Sequence, residues 1–128
     1  MDQKKLILIV DDDPLNRKLL KTLLDSAGYA VRCADSGRAA LDAIPENPPD
    51  LILLDLMMPG MDGFEVLRHL KGLPAAQGIP IVMVTALNNA GVRARLSHSG
   101  AVEIVNKPVD RWELTTCIEK LLEGTPSD

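Results

Sequence analysis

The sequence has few aromatic side chains. Its 128 residues include one Tyr, one Phe and one Trp, although hydrophobic residues make up 46% of the chain. A core must therefore be built from Leu, Ile, Val, Met and Ala. Three aromatic residues also leave little from which to build a surface that stacks nucleic acid bases. The net charge of −4 lacks the basic excess that neutralises a phosphate backbone, so we expect no nucleic acid to bind this domain itself.

Cysteines and long hydrophobic runs are also scarce. Cys33 and Cys117 have no Cys or His at metal-ligand spacing, which argues against a zinc site or a disulfide framework, and we expect two reduced thiols in the core. No segment approaches the roughly 18 apolar residues of a membrane span, and the apolar run behind the N-terminal cations is too short for a signal peptide. The sequence therefore predicts a soluble, cytoplasmic protein with no membrane partner.

The length of the chain suits one compact domain. Five short stretches have the apolar, β-branched composition of strands, and the second is interrupted by Arg32, as in a strand near an edge. The predicted strands are residues 6–10, 29–34, 51–54, 79–84 and 102–105. Gly124, Pro126 and Ser127 lie in the last five residues, so we expect a domain over residues 1–123 and a flexible tail or the start of a linker over residues 124–128.

Helical patterns separate the predicted strands, over residues 14–27, 36–44, 63–71, 88–98 and 110–122. The first has Asp13 as its predicted N-cap and Gly28 as its stop, and it carries an apolar stripe of Leu15, Leu19, Leu20, Leu23 and Leu24. Alternating strands and helices predict an α/β fold, a doubly wound five-stranded parallel sheet with helices on both faces. The more apolar first, third and fourth strands should be central, which fits the flavodoxin-like strand order 2-1-3-4-5.

Five polar residues lie at the carboxyl ends of predicted strands: Asp11, Asp12, Asp55, Thr85 and Lys107. Ligands bind at this edge of an open α/β sheet, at the point where the strand order reverses, so the three carboxylates should converge. Taken singly, Asp11 or Asp12 could equally be a turn or cap residue, and Thr85 or Lys107 an ordinary surface residue. Their shared position favours a common site.

The chemistry of these side chains indicates phosphoryl transfer. Three converging carboxylates repel one another, and oxygen ligands suit Mg2+. An aspartate beside such an ion can act as a nucleophile and form an aspartyl phosphate. In that interpretation Asp55 accepts the phosphoryl group, while Lys107 and the Thr85 hydroxyl stabilise the charge on its oxygens.

Four stretches resemble the receiver domains of two-component response regulators. They are Ile-Leu-Ile-Val-Asp-Asp-Asp-Pro from Ile7, Pro-Asp-Leu-Ile-Leu-Leu-Asp-Leu-Met-Met-Pro-Gly-Met-Asp-Gly from Pro49, Val-Thr-Ala from Val84, and Asn-Lys-Pro from Asn106. The resemblance covers essentially the whole chain. Together, in this order and spacing, the four stretches are highly specific to that family.

The resemblance implies several site roles. Asp55 would be the phosphoacceptor, Asp12 and Asp55 would bind Mg2+ directly, Asp11 would hold it through water, and the backbone carbonyl of Met57 would supply a further ligand. The Lys107-Pro108 bond is expected to be cis, directing the lysine towards the site.

The resemblance also implies the partners. The donor would be a phosphohistidine on a sensor histidine kinase or a histidine phosphotransfer protein. Output would reach an effector domain or target protein through the fourth helix, the fifth strand and the fifth helix. Such a domain is a signalling switch that catalyses only its own phosphorylation and dephosphorylation, rather than an enzyme with external substrates.

One position departs from the family pattern. Three residues before the lysine, receivers usually have Tyr or Phe, whose ring turns inward on activation; here the residue is Ile104. Our hypothesis is that activation depends instead on loop closure at Thr85 and movement of the fourth helix.

Two other functions compete with the receiver interpretation. The first is a metal-dependent phosphatase with an Asp nucleophile, but such enzymes usually place an acid where Met57 lies and add a cap that this chain lacks. The second is a pseudo-receiver that binds partners without phosphorylation.

Overall fold

The computed structural model of the protein describes residues 4–87, 89–99 and 103–123. Strands and α-helices alternate along these residues. The strands are β1 Leu6–Val10, β2 Ala30–Ala34, β3 Leu51–Asp55, β4 Ile81–Thr85 and β5 Glu103–Asn106. The helices are α1 Pro14–Ser26, α2 Gly37–Ala43, α3 Gly63–Lys71, α4 Ala90–Ser97 and α5 Arg111–Leu122, and a short 3-10 helix, Pro74–Ala76, precedes β4.

The five strands form one parallel sheet in the order β2-β1-β3-β4-β5. The predicted fold class and strand order are therefore confirmed. Strands β3 and β4 are buried along their whole length, and β1 is buried except at its first residue. Strands β2 and β5 are partly exposed, because an edge strand has a neighbour on one side only.

The core consists of two layers, one on each face of the sheet. Ile7 and Ile9 of β1 pack with α1 and α5, whereas Leu8 and Val10 pack with α2, α3 and α4. Successive side chains of a strand point to opposite faces, and both faces are apolar here. This explains why the central strands read as continuous apolar runs rather than as alternating patterns.

Helix α1 begins as the sequence predicts. The Asp13 side chain accepts a hydrogen bond from the N–H of Leu15 at 3.0 Å, and Pro14 occupies the first helical position, where no N–H is needed. Gly28 follows the helix with φ +97°, a backbone conformation that favours glycine.

The predicted apolar stripe of α1 is only partly in the core. Leu20 and Leu24 are buried, whereas Leu15 and Leu19 are 64% and 60% exposed. At about 100° per residue, Leu15 and Leu24 lie about 180° apart around the helix axis, so all five leucines cannot face the sheet. The exposed leucines lie beside the segment between β5 and α5, in a groove described below.

The expectation of two core thiols is wrong for Cys33 and only partly right for Cys117. Both cysteines are free, but Cys33 is exposed and Cys117 half-buried. Cys33 lies on the edge strand β2, which α1 does not fully cover. Partial burial raises the pKa of both thiols, so both stay protonated near neutral pH.

Some expectations fall on residues outside the described ranges. These are the first residue of the predicted fourth helix, Asn88, the first residue of the predicted fifth strand, Val102, and the predicted tail over residues 124–128. Within the described ranges, no helix combines the length and the apolar character needed to cross a membrane.

Candidate functional site

The carboxyl edge of the sheet brings three aspartates together. Asp11 follows β1, Asp55 is the last residue of β3, and β1 and β3 are neighbours in the sheet. One carboxylate oxygen from each of Asp11, Asp12 and Asp55 lies within 4.8 Å of the others. The predicted convergence of these side chains is confirmed. Asp11 and Asp55 are buried, while Asp12 is exposed at the mouth of the cluster.

Asp11 is held by four polar contacts. Its N–H donates to the carbonyl of Ala34 at 3.1 Å, and its Oδ1 accepts from the N–H of Asp13 at 2.9 Å. Its backbone carbonyl accepts from the Arg17 guanidinium at 2.8 Å, and its Oδ2 lies 3.6 Å from the Lys107 ammonium. The position of the Asp11 carboxylate is therefore set from both the backbone and the side chain.

Asp55 is a buried carboxyl group in a charged environment. Burial raises its pKa above the ordinary value, and the nearby Asp11 carboxylate raises it further. The hydrogen bond and charge of Lys107, together with the N–H of Met57, act in the opposite direction. The net result is that the pKa of Asp55 lies above its ordinary value.

Lys107 lies between two of the carboxylates. Its Nζ is 3.1 Å from Oδ1 of Asp55 and 3.6 Å from Oδ2 of Asp11. The Lys107-Pro108 peptide bond is cis, as predicted. The lysine backbone is anchored to the end of β4, because its N–H donates to the carbonyl of Thr85 at 3.0 Å.

Thr85 is fully buried at the end of β4, but its hydroxyl is engaged elsewhere. Its Oγ1 accepts a hydrogen bond from the N–H of Leu87 at 2.9 Å. The structure thus places Thr85 at the correct edge of the sheet with its hydroxyl directed into the following loop. Its predicted contact with a phosphoryl oxygen stays a prediction.

The methionines after Asp55 have different environments. Met57 is 61% exposed, whereas Met58 is part of the core. Met61 packs against the core on the α3 side, close to Gly37. The structure therefore leaves the Met57 side chain at the surface beside the acidic cluster. That the Met57 carbonyl binds a metal stays a prediction.

Gly63 allows the first turn of α3 to pack directly against the backbone at the end of β3, the strand that carries Asp55. A Cβ at this position would lie 2.8 Å from the Cα of Leu56 and 2.9 Å from the carbonyl oxygen of Asp55, and both are backbone atoms that cannot move aside cheaply. The N–H of Gly63 also donates to the carbonyl of Leu56 at 2.8 Å. A side chain here would displace the segment that carries Asp55.

We predict that Gly63→Ala lowers the free energy of unfolding by about 1–3 kcal/mol, the usual range for overpacking. Gly72→Ala is the matched control, because it lies at the other end of α3, where the nearest atom to an added Cβ is 3.8 Å away. Urea denaturation followed by circular dichroism measures both. Equal midpoints for the two variants would contradict this account of Gly63.

The donor atoms of the acidic cluster fit a hard divalent cation. The three aspartates contribute only carboxylate oxygens, and Lys107 is the ammonium group that ion-pairs with two of them. Three carboxylates facing one ammonium leave an excess of negative charge, part of it buried. Oxygen ligands, negative charge and an opening at Asp12 match the preference of Mg2+ for a few carboxylates while it keeps several waters.

Comparison with known families agrees with this site. The chain belongs to the response regulator receiver domain family, whose model matches residues 7–119. Receiver domains are signalling modules. Response regulator PleD of Caulobacter vibrioides is 46% identical over 104 residues, which are 81% of this chain and 23% of PleD. The chain therefore spans about a quarter of that relative.

Solved structures show the same fold. Chemotaxis protein CheY4 of Vibrio cholerae superposes with a TM-score of 0.89 and 28% identity, covering 94% of this chain and 100% of CheY4. The receiver domain of the sensor histidine kinase PA1611 of Pseudomonas aeruginosa gives a TM-score of 0.88 and 27% identity, covering 95% and 100% of the two chains. That receiver has a magnesium ion coordinated in its active-site cleft.

The sequence did not reveal two features beside the site. One is the contact of Arg17 with the Asp11 carbonyl, for which the only signal was an arginine in the second turn of α1. The other is the groove lined by the exposed leucines of α1 and by Lys107, Pro108 and Val109. Both depend on how α1 sits over the sheet, which periodicity does not specify.

Proposed function

We propose that the protein is a phosphoacceptor switch that takes a phosphoryl group onto Asp55 in a Mg2+-dependent reaction. The donor is the phosphohistidine of a sensor histidine kinase or a histidine phosphotransfer protein. The observation that carries the proposal is the buried Asp55 carboxylate, 3.1 Å from the Lys107 ammonium and within 4.8 Å of the Asp11 and Asp12 carboxylates.

The transfer exchanges one bond to phosphorus for another. A carboxylate oxygen of Asp55 forms the new P–O bond, and the N–P bond to the donor imidazole breaks, with its electron pair returning to the ring nitrogen. Lys107 is already within hydrogen-bond distance of Asp55, so it can stabilise a phosphoryl oxygen with little rearrangement. Asp12, Asp55, the Met57 carbonyl and, through water, Asp11 would hold Mg2+, which would neutralise the developing negative charge.

Thr85 and its loop provide the switch. The Thr85 hydroxyl accepts from the N–H of Leu87 and donates to the carbonyl of the same residue at 3.5 Å, so it must turn away from that carbonyl before it can donate to a phosphoryl oxygen. This loop leads directly into α4. Closure of the loop would therefore move the start of α4. Ile104 packs against the same core layer as Leu96 of α4 and has no aromatic ring to turn inward. We propose that the partner surface formed by α4, β5 and α5 responds to this movement and reports phosphorylation to an effector domain or target protein.

A small-molecule donor tests the proposed chemistry. Incubation with acetyl phosphate and Mg2+ should add the mass of one phosphoryl group, and EDTA should prevent the addition. Intact-protein mass spectrometry measures the product. Steady turnover of many external phosphoesters would favour an aspartate-based phosphatase instead, and no mass gain from acetyl phosphate or a phosphorylated kinase would favour a pseudo-receiver.

The extent and location of the domain belong to the same proposal. We propose that the receiver occupies residues 1–123, that residues 124–128 begin a tail or linker, and that the protein acts in the cytoplasm, where a kinase would supply the phosphoryl group. The family match over residues 7–119 supports this domain extent.

The groove beside the site suits the macromolecular donor. Leu15, Leu19 and Leu23 line one side of it, while Lys107 and Val109 line the other. Lys107 also contacts Asp55, so this residue is shared by the groove and the acceptor site. A protein that brings a phosphohistidine to Asp55 would cover this apolar surface, which explains why two leucines can remain exposed.

We predict that changing both Leu15 and Leu19 to Ala slows transfer from a protein donor about tenfold, as expected for the loss of roughly 1.4 kcal/mol of binding. Phosphorylation by acetyl phosphate should be unchanged, because that donor needs no docking surface. Lys71→Ala is the control, since Lys71 is exposed at the end of α3 and lies outside both the groove and the proposed partner surface. Rapid-quench assays would use a phosphotransfer protein that phosphorylates the wild-type chain; equal slowing with both donors would contradict the docking role.

A further inference from the structure

We infer that Arg17 is a positioning residue that holds the bend between Asp11 and Asp12 and so keeps both carboxylates directed at the cation site. This inference rests on the proposed Mg2+ site. It concerns a residue that is not among the proposed ligands of the phosphoryl group or the cation, and that acts through the backbone of Asp11.

The chain geometry explains why such a support is needed. In an extended segment, successive side chains point to opposite faces, so Asp11 and Asp12 would diverge if β1 simply continued. Instead the chain bends at Asp12, and oxygens of both side chains lie within 4.8 Å of each other and of Asp55. The registers that pair β1 with β2 and β3 end at Val10, so the Asp11 carbonyl lies beyond them.

Arg17 donates a hydrogen bond to the Asp11 carbonyl. It lies in the second turn of α1, and its guanidinium reaches back to donate to the Asp11 oxygen at 2.8 Å in a half-buried position. A hydrogen bond from a charged donor is stronger than one from a neutral donor, and the planar guanidinium is preorganised for such a contact. The other contacts of Asp11, to Ala34, Asp13 and Lys107, hold its N–H and its side chain. Arg17 is the group that holds the carbonyl.

The direction in which the Mg2+ dissociation constant changes when Arg17 is replaced distinguishes a positioning role from an effect of its charge alone. A cation on α1 near the acidic cluster repels Mg2+, so removal of its charge alone would tighten Mg2+ binding. Loss of positioning acts in the other direction, because binding must then also order the bend at Asp12. The two accounts of Arg17 therefore predict opposite changes in the same dissociation constant.

The test is a titration of the unphosphorylated, full 128-residue chain with MgCl2, followed by NMR chemical shifts of backbone amides. Arg17→Leu should raise the dissociation constant about tenfold, the lower end of the effect of removing groups that orient metal ligands. Arg17→Gln should also raise it, and Arg17→Lys should recover part of the affinity, since an ammonium can still donate to the carbonyl. Lys21→Met is the control, because Lys21 is a cation on the same helix and forms its ion pair with Asp25. The dissociation constant of this variant for Mg2+ should stay within about twofold of the wild-type value.

Unchanged or tighter binding in the Leu and Gln variants would overturn the inference. A fall in unfolding free energy with an unchanged dissociation constant would likewise assign Arg17 to stability alone. If the Leu variant does not fold, the Gln variant decides the question. Failure of the wild-type chain to bind Mg2+ would instead overturn the proposed function, so the two failures are distinguishable.

Discussion

Asp55→Asn is expected to abolish the phosphoryl mass gain from acetyl phosphate and Mg2+. An amide cannot act as the nucleophile. The neighbouring acids Asp11 and Asp12 follow β1 rather than β3, and in the proposed function they hold the cation instead of accepting the phosphoryl group. Intact-protein mass spectrometry should detect no phosphorylated form of the variant. Asp42→Asn makes the same chemical change on the exposed face of α2 and should be phosphorylated like the wild type.

The same variant should be more stable than the wild type when Mg2+ is absent. Burial and the Asp11 carboxylate raise the pKa of Asp55 in the folded state. The folded chain therefore holds this proton to higher pH than the unfolded chain, whose Asp pKa is about 3.9. The contribution of Asp55 to stability is fully present below that pH and is lost as the pH rises through the folded value.

At neutral pH the charged Asp55 thus destabilises the metal-free fold, and an uncharged amide of the same shape removes this effect. Thermal unfolding of wild type and Asp55→Asn, in EDTA and over a range of pH, measures the difference. The midpoint of the variant should be higher at pH 7, and the gap should narrow as the pH falls. A variant that is less stable than the wild type at pH 7 would show that the Lys107 contact outweighs burial and repulsion.

Lys107→Gln is expected to slow phosphorylation by about 10²–10³-fold, the range found when one preorganised donor to a developing oxyanion is removed. The ammonium is 3.1 Å from Asp55 and is anchored through its own N–H to Thr85, so it is in place before the phosphoryl group arrives. Its removal also takes away an interaction that lowers the pKa of Asp55. Fewer Asp55 side chains would then be ionised at a given pH.

Mg2+ binding distinguishes this role from a general loss of structure. Lys107 is a cation beside the acidic cluster, so the Gln variant should bind Mg2+ at least as tightly as the wild type while reacting more slowly. Lys120→Gln is the control, because Lys120 is an exposed cation on α5 and should react at the wild-type rate. Weaker Mg2+ binding together with slow phosphorylation would indicate that Lys107 supports the fold of the site rather than the transfer.

Much of the fold could be predicted because its signals are local. The short apolar runs, the Asp13 cap and Gly28 each follow from a few neighbouring residues, and alternation of strands and helices restricts the topology. Strand boundaries were less well predicted. The predicted fourth strand starts at residue 79, whereas β4 is Ile81–Thr85. Ile79 and Pro80 are apolar but precede the strand, although the Pro80 carbonyl accepts a hydrogen bond from the N–H of Ile52 at 3.0 Å.

The errors concern how far an element is covered by its neighbours. Leu15 and Leu19 have the same residue type and spacing as the buried leucines of α1, yet they are exposed, because only one side of the helix faces the sheet. Cys33 lies on a strand, as predicted, but on an edge where α1 covers it incompletely. Burial depends on contacts between distant segments, which residue type and periodicity do not specify.

The sequence by itself determined the α/β class, the strand order and the set of side chains at the carboxyl edge of the sheet, because strand ends follow from local pattern and parallel strands end together. Only the tertiary structure decided how these groups are used. It set the 3.1 Å contact of Lys107 with Asp55, the turn of the Thr85 hydroxyl towards Leu87 and the support of Asp11 by Arg17. These contacts join segments far apart in sequence or depend on side-chain direction, and packing of the whole sheet and its helices fixes both.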